Sequence, residues 1–183
     1  QVVAPLAPTE INRLNLKLGA ERYAELLGRT PRTWMVNEQT WSDGLAPLYQ
    51  EAGAERVVME WNNPAARRPE LRALRCRPAP LRVGAGAGPT VLWNDSIVFQ
   101  KMQRVAHGQI PESDLLGYVE TLAARPGASA LCLYGGDVEI FDYRPSRRVP
   151  AGDVGAEMVR LLAVFERLAA DERYAFVLPR EID

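Results

Sequence analysis

Short apolar runs of β type alternate along this chain with segments of helical period, and proline or glycine marks most of the joins. That alternation constrains the fold more than any other feature. Parallel strands need a crossover between them, and the usual crossover is a helix, so the expected class is α/β with a mainly parallel sheet. The first helix is expected from the Pro8-Thr9-Glu10 start to about Leu27, with Ile11, Leu14, Leu18, Tyr23, Leu26 and Leu27 as a broken apolar stripe and Gly28 as its stop. Strands are expected at 33–36, 56–59, 90–93, 130–134 and 174–178, with the end of another at 1–4. Further helices are expected from Ser42 to Gly53, from Ser96 to about Ala106, from about Pro111 to Ala124 and from Asp153 to about Ala170. Between Asn62 and Pro89 the periodicity fails; prolines at 64, 69, 78 and 80 and the run Gly84–Gly88 predict a long irregular loop over 62–89. The 183 residues otherwise read as a single domain or a fragment of one.

Composition removes several functions. Lys and Arg total 22 against 23 Asp and Glu, a formal charge of −1, so a polyphosphate partner gains no overall attraction and nucleic acid is not expected. No apolar run reaches the roughly 18 residues of a membrane span, and 1–8 lacks an export-signal layout, so no membrane partner and a cytoplasmic location are expected. Cys76 and Cys132 form no C-x-x-C pair, which fits a reducing compartment. His107 is the single histidine and reads as a helix-end residue favoured by the dipole. One imidazole does not build a common hydrolytic zinc site, so no metal and no cofactor are expected, and any chemistry falls to carboxylates.

In parallel α/β folds functional groups gather where strands end at their carboxyl edge. After the 33–36 strand come Asn37, Glu38, Gln39 and Trp41, with Trp34 inside it; after the next come Glu60, Trp61, Asn62 and Asn63. Trp93 ends the third and leads into Asn94, Asp95 and Ser96, and beyond the fourth lie Asp137 and Glu139. Carboxylates for proton transfer or attack, indole faces for pyranose C–H surfaces and amides for hydroxyls together point to a sugar site and to glycoside chemistry. Taken singly, the same residues also read as structural: Asp95 and Ser96 as helix caps, Trp34, Trp61 and Trp93 as core aromatics, the carboxylates as solvated loop residues, and Glu60-Trp61-Asn62-Asn63 as a strand-end turn.

The run Trp34-Met35-Val36-Asn37-Glu38-Gln39-Thr40-Trp41 resembles the segment of glycoside hydrolase family 57 in which a Trp-x-x-x-Glu strand end carries the nucleophile, and Glu38 falls on that acid. Tyr134-Gly135-Gly136-Asp137-Val138-Glu139-Ile140-Phe141 is similar to the family's Asp-x-Glu-x-Phe motif, with Asp137 on the general acid/base. Between them Trp93 to Phe99 resembles a substrate-side segment, and the likeness runs from about Asn12 to Leu178. It implies a (β/α)7 barrel of the glycoside hydrolase and deacetylase type, here partial, and retaining action on α-glucans as an amylase, branching enzyme or glucanotransferase. The implied catalytic pair is Glu38 and Asp137; the implied substrate contacts are Trp34, Trp41, Glu60, Trp61, Trp93, Asn94, Asp95 and Glu139. A retaining pair requires carboxyl groups about 5–5.5 Å apart. The family's histidine-containing first motif and its helical domain have no counterpart, which accords with an absent upstream portion; Asn37 stands where many members have proline.

Two other classes compete. A non-catalytic carbohydrate-binding or regulatory module would keep the aromatics and lose turnover. A polysaccharide deacetylase would need an Asp-His-His metal site that one histidine does not supply.

Overall fold

A computed structural model describes residues 4–83, 86–133 and 154–182. Its sheet has the order β1-β2-β4-β3, where β1 is Thr33–Met35, β2 Arg56–Glu60, β3 Ala79–Val83 and β4 Gly86–Asn94. The first three in that order run parallel, with Trp34 beside Val57, Met35 beside Val58, Val58 beside Leu92 and Met59 beside Trp93. The parallel strands and their crossovers follow from the alternation in the sequence. Of the expected partial barrel, the described residues form a four-stranded sheet without closure. At its far side Asn94 makes one parallel bridge to Cys132, which is all that the described part of the expected 130–134 strand contributes. Residues 1–3, the Gln1–Val3 part of another expected strand, lie outside the described residues.

Alternate side chains point to opposite faces of a strand, and here the two faces are covered differently. Trp34, Val57, Met59, Val91 and Trp93 point to one core with Leu45, Leu48 and Tyr49, the last two from helix α2 (Ala46–Glu51). Met35, Val58 and Leu92 point the other way, into a cavity of about 810 Å³ that Leu122, Phe165 and Tyr174 also line. A second core joins α4 (Ser96–Ala106), α5 (Glu112–Ala123) and α6 (Val154–Ala169) through Met102, Leu115 and Val164. His107 closes α4 as its C-cap.

Helix α1 (Thr9–Leu27) ends on Gly28 at φ +69°, the left-handed cap that glycine adopts without a Cβ clash. Its expected apolar stripe is not the buried one. Ile11, Leu14, Leu18, Tyr23, Leu26 and Leu27 are exposed, whereas Asn12 is buried and Leu16 packs on the sheet core. Asn12 fastens the preceding turn onto the helix, its Nδ2 donating to the carbonyls of Ala4 and Ala7 at 2.8 and 3.3 Å.

The 62–89 stretch is more regular than its prolines predict. It contains α3 (Asn62–Arg67), a 3-10 turn (Pro69–Leu74) and β3, which pairs antiparallel with β4. Proline defeats a periodicity count but is compatible with an edge strand, where a missing N–H costs no ladder bond; Pro80 sits on such an edge, beside a register shift between Pro80 and Arg82. The 174–178 run forms no strand. Tyr174–Leu178 is irregular, held by side-chain contacts such as the edge-on packing of Phe176 against Phe165 at 5.8 Å, and followed by a 3-10 turn at Pro179–Glu181.

Candidate functional site

The carboxyl ends of β1, β2 and β4 meet at one edge of the sheet and are tied by hydrogen bonds. Trp61 N–H donates to the carbonyl of Asn94 at 2.8 Å, and Ser96 N–H donates to Asn62 Oδ1 at 2.8 Å, so β2 is joined to β4 twice beyond the last paired residues. Glu60 N–H donates to Gln39 Oε1 at 2.6 Å, which joins β2 to the turn after β1.

Two of the expected substrate acids are committed to this framework. Glu60 is 7% exposed, and its carboxylate accepts from the N–H groups of Asn62 and Asn63 at 2.8 and 2.9 Å, serving the free amides at the start of α3. Asp95 is 2% exposed; its Oδ1 accepts from Ile97 and Val98 at the start of α4, and its Oδ2 accepts from Arg75 at 2.6 and 2.9 Å. The same Arg75 lies over the Trp61 ring at 4.5 Å and donates to Tyr118 Oη at 2.6 Å. Burial opposes the Arg75 charge, but the hydrogen bond to Asp95 and the carboxylate charge outweigh it and hold the guanidinium pKa above its ordinary value. Burial first, and then the Asp95 charge, push the Cys76 thiol and the Tyr118 phenol upward.

The expected aromatic contacts are packed against protein. Trp34 is half-buried, meets Tyr49 edge-on at 6.2 Å and donates through Nε1 to the Pro31 carbonyl. Trp61 is 8% exposed and donates to the Leu71 carbonyl at 2.9 Å; Trp93 is 6% exposed inside the sheet core. Trp41, also half-buried, stacks on Tyr49 at 5.7 Å. Asn94 is buried, and its Oδ1 has no hydrogen-bond partner among the described residues.

Glu38 differs from the other described strand-end acids. It is exposed, and neither an ion pair nor a hydrogen bond holds its carboxylate among the described residues. Its backbone sits at φ +50°, ψ 18°, and Gln39 follows at φ +53°. Left-handed backbone costs an L-residue with a Cβ about 1–2 kcal/mol, so two in succession are sustained only by their surroundings. Asp137 and Glu139 lie outside the described residues.

Sequence reasoning missed Arg75 and Tyr118. Nothing local signals them, since the acid that Arg75 serves lies 20 positions away. Gln39 stands in the expected strand-end run, but its bond to Glu60 has no sequence signature. The two cysteines are free thiols, and burial pushes Cys132 up to about 11. Among the described residues no cluster of three or more His, Cys, Asp or Glu is placed to hold a metal ion, and no helix is long and apolar enough to cross a membrane.

No known family model and no curated protein matches the sequence. Among solved structures, the fold is similar to that of a 4-alpha-glucanotransferase from Thermococcus litoralis, with a TM-score of 0.71 at 21% identity. The likeness covers 98% of this chain and 26% of the other, so the chain spans about a quarter of the length of that enzyme and shares the fold of that quarter.

Proposed function

We propose that the chain carries the carboxylate pair of a retaining enzyme acting on α-glucans, with Glu38 as nucleophile and Asp137 as general acid/base. The observation that carries this reading is the contrast among the described strand-end acids: Glu60 and Asp95 are buried on helix starts, while Glu38 is exposed, uncommitted and held on a left-handed turn. Residues held in sparsely populated backbone conformations cluster at functional positions. Similarity in fold to a glucanotransferase supports α-glucan as the substrate class, and the resemblance of the 34–41 and 134–141 segments to glycoside hydrolase family 57 supports the two roles.

In the first step a Glu38 carboxylate oxygen forms a bond to the anomeric carbon as the glycosidic C–O bond breaks, and Asp137 gives its proton to the departing oxygen. In the second, Asp137 takes a proton from water or from an acceptor sugar hydroxyl, whose oxygen displaces Glu38 from the same carbon. Water as acceptor gives hydrolysis and a sugar gives transfer. Trp41 and Glu139 are the proposed substrate contacts. Trp61 and Trp93 contribute as packed supports of the rim, since both indoles are nearly covered.

Glu38→Gln and Asp137→Asn, assayed on maltoheptaose and glycogen, test the assignment. Each is expected to reduce turnover by on the order of 10³-fold or more. Unchanged turnover in either variant would remove that residue from the mechanism.

A further inference from the structure

The turn after β1 closes in a way that assigns a task to Gln39. Parallel pairing extends one residue beyond β1, with Val36 N–H donating to the Val58 carbonyl at 3.0 Å. The next rung of a regular parallel ladder would bring Glu60 N–H to the Val36 carbonyl. That carbonyl instead accepts from Gln39 N–H at 3.2 Å, and the Gln39 side chain supplies the acceptor that Glu60 N–H would otherwise lack, at 2.6 Å. Gln39 therefore closes the turn with its backbone and fastens it to β2 with its amide. Glu38 lies between the Val36 and Gln39 anchors.

We propose that Gln39 is a positioning residue for Glu38: its bond to the end of β2 holds the consecutive left-handed residues and thereby fixes where the Glu38 carboxylate stands. The proposal rests on the reading of Glu38 as the nucleophile. It assigns the amide orientation too, because a backbone N–H requires an oxygen opposite it, so Oε1 faces Glu60 and Nε2 faces away. The bonds from Trp61 N–H to the Asn94 carbonyl and from Ser96 N–H to Asn62 Oδ1 join β2 to β4 and leave β1 out. Misplacing a reacting group by about 1 Å is enough to cost on the order of 10²-fold in rate.

The test compares Gln39→Met, of similar length but without an oxygen acceptor, with Gln39→Glu, which retains one. Maltoheptaose kinetics are measured alongside hydrogen exchange at the Glu60 amide. For Gln39→Met the expected result is faster Glu60 exchange and a kcat at least tenfold lower, with KM changed less than threefold. Gln39→Glu should restore slow exchange and most of kcat. Turnover that is abolished by Glu38→Gln but unaffected by Gln39→Met would overturn the positioning role and leave the nucleophile in place. Turnover indifferent to Glu38→Gln, or no turnover by the native chain, would overturn both, while the exchange data would still report whether the clamp exists.

Discussion

The carboxyl ends of β1 and β4 place acids at the same edge of one sheet and treat them in opposite ways. At β4, Asp95 is buried, caps α4 and holds Arg75, which in turn covers Trp61 and reaches Tyr118. At β1, Glu38 is exposed on a left-handed turn and accepts nothing among the described residues. Asp95 is placed where an acid stabilises the fold, whereas Glu38 is placed where almost any residue except glycine costs stability. Chemical identity and position at a strand end are therefore poor guides to function until the partners are known.

Removing the β4 acid should have the largest effect. Asp95→Ala leaves Arg75 half-enclosed without its counter-charge and frees two helix-start amides, and is expected to cost about 3 kcal/mol or more in urea unfolding. The double variant Arg75→Met/Asp95→Leu should recover part of that loss, because it removes the orphaned charge; a strictly additive double variant would show that the pair is not coupled.

The sharpest contrast is one of sign. Glu60→Ala strips the cap of α3 and is expected to destabilise by about 1–2 kcal/mol. Glu38→Gly is expected to stabilise by about 0.5–1 kcal/mol, since relief of the left-handed conformation exceeds the added chain entropy of glycine. Thermal unfolding of both variants in one buffer checks the pair, and destabilisation by Glu38→Gly would erase the distinction between the two strand ends.

The smallest effect concerns alkali. Cys76 and Tyr118 both have pKa values raised by burial, so in the folded state they keep protons that the unfolded chain has released. Their contribution is complete below the unfolded values, near 9 and 10, and is lost as pH rises through the folded ones. Urea midpoints should therefore fall above about pH 9, and Tyr118→Phe should flatten the upper part of that fall. An unchanged slope would place the loss elsewhere.

Much of the secondary structure was legible because apolar period is a local property. The strands containing Trp34, Val57 and Val91 and the helices α4, α5 and α6 follow from it, as does the closure of α1 by Gly28. The structural alternative for Asp95 as a helix cap was legible as well, since an Asp two or three residues before an apolar helical run is a local signal. The buried side of α1 departs from its apolar stripe because the polar Asn12 is covered by the turn before the helix, where it reaches Ala4 and Ala7. The hairpin of β3 was obscured because prolines that exclude a central strand leave an edge strand possible.

By itself, then, the order of residues determined an α/β chain with a parallel sheet and a set of acids and aromatics at its strand ends, because helical and strand periods, caps and breakers act over a few neighbours. Which acid also holds a distant cation, and how the turn under the free one is anchored, was decided only by tertiary structure. Arg75 reaches Asp95 from 20 positions away, and the Glu60 N–H that anchors the turn of Glu38 lies 21 positions from Gln39. Contacts of that kind depend on how strands register and helices dock, which no local pattern encodes.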